Sequence, residues 1–164
     1  MDQDLIEEAR ALIELCRRKK LRIATAESCT GGLVAGTLTE VAGSSDVFER
    51  GFVTYSNEAK QAMLGVTPET LARHGAVSRE TARAMAAGAV AHAPVDLAVS
   101  VTGIAGPRGA TADKPVGLVH FAAASRGGQW IDCERRYGDI GRAEVRRASV
   151  TQALALLREI AEKE

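Results

Sequence analysis

The sequence predicts an α/β fold, a three-layer α/β/α sandwich around a five-stranded mixed sheet with one strand antiparallel. Three observations predict it. Short apolar runs of strand length alternate with segments of helical periodicity, which implies a largely parallel sheet. The run from Asp96 to Val101 is nearly all apolar, as in a strand covered on both faces. The tight turn Arg126-Gly127-Gly128 joins two strand-like segments, which must be antiparallel neighbours.

Each element has its own local signal. Leu5, Ile6, Ala9, Leu12, Ile13 and Cys16 fall at helical spacing with charged residues between them, giving an amphipathic first helix. It ends in the basic run Arg17 to Lys20, which suits the negative end of a helix dipole. Leu21 to Ala26 reads as a strand, Gly31 to Val41 as a helix with Gly43 beyond its end, and Phe52 to Tyr55 as a second strand. Residues 56 to 64 form a helix closed by Gly65, and Thr67-Pro68-Glu69 is a capped start with proline at the first helical position. That helix stops at His74-Gly75, and Ser78 caps another through about Ala91. After the strand from Asp96, a glycine-bearing loop runs from Gly103 to Lys114. Val116 to Ala124 and Trp130 to Tyr137 are the hairpin strands. A last helix from about Arg142 buries Val150, Ala153, Leu154, Leu157 and Ala161.

The 164 residues suit one domain, 1–164, able to bury a full core. Lysine plus arginine and aspartate plus glutamate are equal at 21 each, so no overall field points to nucleic acid or a membrane surface. Any anionic ligand must then be held by local groups. The start Met-Asp-Gln-Asp-Leu-Ile-Glu-Glu is unlike a signal peptide, and no apolar run approaches the roughly 20 residues of a membrane span. A soluble, cytoplasmic protein is expected, with homo-oligomer formation left open. Cys16, Cys29 and Cys133 are odd in number and widely spaced, so they read as reduced thiols rather than a disulfide framework or zinc site. His74, His92 and His120 show no metal-ligand spacing and are assigned structural or surface roles, and Trp130 is read as a core residue.

Two segments carry the chemistry: Ala-Glu-Ser-Cys-Thr-Gly-Gly at 26 to 32 and Tyr-Ser-Asn-Glu-Ala-Lys at 55 to 60. Each sits where a strand gives way to a helix. Ser28 precedes Thr30, Gly31 and Gly32, where amides at a helix start favour negative charge and could hold an oxyanion. The plain alternative is an N-cap serine. Lys60 lies about one turn into its helix and could deprotonate Ser28 if desolvated; otherwise it is a solvated surface charge. Tyr55 could relay the proton or orient the lysine, or be a half-buried strand aromatic. Thr102, Gly103 and Gly106 lie on a loop leaving the likely central strand at its carboxyl end, the ligand edge of such sheets. Arg142 and Arg146, one turn apart at the start of the final helix, could clamp a phosphate or simply be solvated.

Thr25 to Gly32, Gly43-Ser-Ser, Phe48 to Lys60, His74-Gly-Ala-Val-Ser78, Val101 to Pro107 and Lys114-Pro-Val-Gly117 together closely resemble the CinA C-terminal domain family over about residues 5 to 160. The resemblance implies a three-layer α/β/α fold and hydrolysis of the carboxamide of nicotinamide mononucleotide to nicotinate mononucleotide and ammonia, a step of pyridine nucleotide recycling. It implies Ser28 as nucleophile, Lys60 as general base and Tyr55 as its helper, with Thr102 and Gly103 lining the pocket. Arg142 matches the arginine of a family Gly-Asp-Arg segment, although this chain reads Gly138-Asp139-Ile140-Gly141-Arg142, with two extra residues before it. Arg146 is the reserve. The expected partner is a small-molecule substrate, nicotinamide mononucleotide, with no cofactor, metal, nucleic acid or membrane. A nucleotide-binding regulatory module without chemistry, and an amidase for another small amide, are the alternatives.

Overall fold

The computed structural model describes residues 2–164; Met1 lies outside the described residues. In chain order the elements are α1 (Gln3–Lys19), β1 (Ile23–Glu27), α2 (Leu33–Thr39), β2 (Phe48–Val53), α3 (Asn57–Leu64), α4 (Pro68–His74), α5 (Arg79–Ala91), β3 (Leu97–Gly103), β4 (Leu118–Ser125), β5 (Trp130–Arg136) and α6 (Arg142–Glu162). The sheet order is β2-β1-β3-β4-β5. β1 pairs in parallel with β2 and β3, and β4 runs antiparallel to both β3 and β5. One strand therefore opposes the other four.

The two faces of the sheet use the period-2 alternation of strand side chains differently. Leu97, Val99 and Val101 of β3 and Val119 and Phe121 of β4 point large groups at α1, α2 and α6. On the other face Ala24, Ala26, Ala98, Ala122 and Ala124 present small ones to α5. Small residues bring α5 close to its neighbours: at Gly88 any Cβ would collide with the backbone carbonyl of Leu64 in α3. The Thr67 and Ser78 caps and the Gly65 stop are as the sequence predicts. Asp2, Ser56, Thr67 and Ser78 each cap a helix through a side-chain oxygen, and Lys20 and Gly65 close helices in the left-handed conformation.

Four readings are corrected. β2 begins at Phe48, not at Phe52, and ends at Val53; it is an edge strand, so Glu49-Arg50-Gly51 can face solvent within it. α2 is shorter than the 31–41 expected, because Gly31 (φ 56°) and Gly32 (φ 101°) are left-handed and form a turn ahead of it. β4 starts at Leu118 rather than Val116, the backbone at Gly117 being left-handed (φ 92°). Trp130 is not core: it is 41% exposed at the start of β5, with the Arg79 and Arg83 guanidiniums over its ring. Among the described residues no helix is long and apolar enough to cross a membrane.

Candidate active site

β1 lies between β2 and β3, and the segments leaving β1 and β2 cross on opposite faces of the sheet, which opens a crevice at the carboxyl ends of these strands. Register aligns those ends: Glu27 lies opposite both Val53 and Val101. The residues that follow, Ser28, Thr54-Tyr55 and Thr102-Gly103, therefore meet at one edge.

The Ser28 turn is fixed from several sides. Its amide donates to Val101 O at 2.9 Å, and Gly31 N donates back to Ser28 O at 3.0 Å. The preceding Glu27 is only 1% exposed, and its carboxylate accepts from Gly32 N (3.2 Å), Val34 N (2.9 Å) and Ala35 N (3.0 Å). Glu27, not Ser28, is thus the cap of α2, and the anion-binding end of that helix is already occupied. Arg146 donates to Cys29 O (3.1 Å) and Thr30 O (3.4 Å), bracing the turn's carbonyls. Ser28 itself is freed to present its hydroxyl.

Lys60 is the largest fully buried side chain, at 1% exposure. The Ser56 cap sets the start of α3 and places Lys60 on its first turn, facing back over the sheet. Its Nζ lies 3.0 Å from Ser28 Oγ, 2.9 Å from Thr54 O and 3.2 Å from Tyr55 O. Burial pulls its pKa below the ordinary lysine value, with the neighbouring Cys29 opposing only weakly. A neutral amine has two N–H groups and one lone pair. In the neutral form the two carbonyls would take the N–H groups and leave the lone pair for the Ser28 hydroxyl, to whose oxygen the protonated amine would instead donate. Cys29 is no rival nucleophile, since burial pushes its thiol up to about 11.

Tyr55 divides its contributions. Its carbonyl orients Lys60, while its phenol, on a residue 61% exposed, accepts a hydrogen bond from Arg142 Nη2 at 3.0 Å. Arg142 Nη1 donates to Gly106 O at 2.9 Å, so one guanidinium ties the 103–114 loop to the end of β2. Thr102 Oγ1 donates to Ala76 O at 2.8 Å, fixing the segment between α4 and α5 above β3.

These groups enclose a cavity of about 240 Å³ lined by Ser28, Lys60, Tyr55, Thr102, Gly103, Gly106 and Arg142, together with Cys29, Ala76, Val77, Ile104, Ala105, Arg108 and Gly109. Thr30, Gly31, Gly32 and Arg146 lie outside this lining. Their part is in the turn behind Ser28. A larger groove of about 370 Å³ between α5 and the β4–β5 hairpin is lined mainly by alanine and carries no nucleophile beside a base. Three site features escaped the sequence reading. Glu27 and Arg108 were visible there, as an acid ahead of a Gly-Gly turn and a cation in a glycine-bearing loop. The carbonyls of Thr54 and Tyr55 have no sequence signature.

Residues 6–161 match the family model of the CinA C-terminal domain. The nicotinamide-nucleotide amidohydrolase PncC of Escherichia coli K12 is 48% identical over 157 residues, 95% of this chain and 94% of that protein. A CinA-like protein of Geobacter sulfurreducens is 51% identical over 148 residues, 90% of this chain but 35% of its own length. The chain likewise spans only 30%, 38% and 36% of three longer curated relatives. The crystal structure of the competence/damage inducible protein CihA from Agrobacterium tumefaciens is similar with a TM-score of 0.95 at 55% identity, covering 100% of this chain and 98% of that one.

Proposed function

The chain belongs to the CinA C-terminal domain family, and on that premise we propose that it hydrolyses the carboxamide of nicotinamide mononucleotide to nicotinate mononucleotide and ammonia through a serine acyl-enzyme. The observation that carries the chemistry is the 3.0 Å approach of a buried lysine amine to Ser28 Oγ. Serine at its ordinary acidity is a poor nucleophile, and a desolvated amine within hydrogen-bond reach is the activation it needs. The relative that shares most of its length with this chain supplies the substrate.

Ser28 Oγ attacks the carboxamide carbon while Lys60 Nζ takes its proton. The carbonyl oxygen becomes an oxyanion, for which the amide of Cys29 is the available donor: Cys29 lines the cavity, and among the described residues no backbone carbonyl takes its N–H. The resulting Lys60 ammonium donates its proton to the amide nitrogen, the C–N bond breaks, and ammonia leaves a nicotinoyl ester on Ser28. Water then attacks the ester carbon, Lys60 takes the water's proton and returns it to Ser28 Oγ, and the acid is released. The carbonyls of Thr54 and Tyr55 hold the amine in place throughout.

Ammonia release from nicotinamide mononucleotide in excess chelator tests this, with Ser28→Ala alongside. Turnover by the wild type and at least a ~10³-fold loss in the variant is expected, as for removal of a covalent nucleophile. A silent wild type would leave a binding module or a different amide substrate. An active Ser28→Ala would remove the acyl-enzyme.

A further inference from the structure

The cavity lining has an uneven charge that its chemistry does not require. It contains three basic side chains, Lys60, Arg108 and Arg142, and no carboxylate. Lys60 belongs to the reacting end, against Ser28. Arg142 is held by Gly106 O and the Tyr55 hydroxyl, which uses two of its five N–H groups and leaves three. Arg108 is different. Among the described residues it has no hydrogen bond or ion pair, yet it stands on the loop that Arg142 fixes, two residues beyond Gly106. The loop's geometry is specific there: Gly106 has φ 85°, and a Cβ on it would press into Val116. One cavity wall therefore carries one anchored guanidinium and one unengaged guanidinium, with no acid in the lining to neutralise either.

We propose that Arg108 is a specificity-determining residue that grips the phosphate monoester of the substrate, paired with the anchored Arg142 as a two-sided clamp. This rests on the amidohydrolase reading for the identity of the substrate, although not for the clamp's chemistry. A phosphate monoester offers three strong acceptor oxygens, and guanidinium groups match them with paired donors. The phosphate lies at the far end of a mononucleotide from the carboxamide, and the loop residues Gly106 and Arg108 line the same cavity as Ser28, so one ligand can meet both. An anchored cation gives orientation at little entropic cost, and a free one on a loop closes on the ligand. The clamp also gives this site a way to prefer the phosphorylated amide over the nucleoside.

Calorimetric binding of nicotinamide mononucleotide and nicotinamide riboside to Ser28→Ala, and to Ser28→Ala combined with Arg108→Gln, isolates the clamp from the chemistry. Ser28→Ala should bind the mononucleotide more tightly than the riboside, and Arg108→Gln should shrink that ratio by about 10- to 100-fold, the worth of one charge-assisted hydrogen-bonding pair. Arg108→Lys should restore part of the ratio, and added salt should weaken only the mononucleotide. An equal ratio with and without Arg108 overturns the proposal, as does the absence of any preference in Ser28→Ala. Because Arg108 has no partner to lose, unchanged thermal melting of the variant is expected. A protein that shows the clamp but releases no ammonia would refute the amidohydrolase reading while leaving Arg108 in its role.

Discussion

Replacing Lys60 by methionine keeps an unbranched side chain of similar reach in a site only 1% exposed, but removes the amine. Two consequences follow from the same burial. The first is catalytic: without a base on Ser28, turnover should fall by about 10²- to 10⁴-fold, the usual contribution of general-base catalysis. The second is a pH signature in stability. Desolvation lowers the Lys60 pKa in the folded state below its ordinary 10.5, which the unfolded chain retains. Between the lowered value and 10.5 the unfolded chain binds a proton that the native state does not. Wild-type stability must then rise with pH in that window, by up to about 1.4 kcal/mol per pH unit from this group. The contribution is fully present above 10.5 and lost as pH falls to the folded-state pKa. Lys60→Met has no such slope. Urea unfolding of both proteins at a series of alkaline pH values reads the difference directly, and other titrating groups cancel between them. Parallel stability curves would mean that Lys60 titrates in the native state as it does in the unfolded chain, and the base assignment would be lost. Wild-type turnover should also climb with pH as Lys60 deprotonates.

Further perturbations separate the roles of its neighbours. Tyr55→Phe removes the bond to Arg142 but keeps the carbonyl that orients Lys60, so KM should rise while kcat stays within a few-fold. A kcat loss above about 10²-fold would instead make the phenol a proton carrier. Glu27→Ala strips three amides of their shared acceptor in a buried turn and should cost about 2 kcal/mol or more, read as a melting temperature lowered by at least several degrees. Glu27→Gln, which keeps an acceptor oxygen, should recover part of it. Gly88→Ala drives a methyl into the Leu64 carbonyl and should destabilise by about 3 kcal/mol or more, seen in the urea midpoint; a mild effect would mean that α3 and α5 can separate freely.

Much of the architecture was legible in the linear chain because local physics set it. Period 3.6 in α1 and α6, the Thr67 and Ser78 caps, the Gly65 stop and the apolar β3 run each express a preference confined to a few neighbouring residues. The β4–β5 pairing followed from a turn too short for any other connection. Edge strand β2 was seen only in part, since a strand covered on one side needs no continuous apolar run. Ser28, Tyr55 and Lys60 were marked as chemistry-bearing by position at strand ends and by the resemblance of their segments to the CinA C-terminal domain family.

Sequence alone determined which residue types stand at the carboxyl edge of the sheet. Only the tertiary structure decided what each does there. Lys60 is desolvated because α3 packs it over β1 and β2, and burial is a property of the assembled layers rather than of a helical lysine. Thr30, Gly31, Gly32 and Arg146 moved from the expected ligand surface to the support of a turn, because Glu27 reached the α2 amides first. Arg142 and Arg108 came to share a wall through contacts spanning 87 and 36 residues of chain, from Arg142 to Tyr55 and to Gly106. Periodicity and capping act over one or two turns and are written in order along the chain; desolvation, hydrogen-bond competition and cavity shape arise only where distant segments meet.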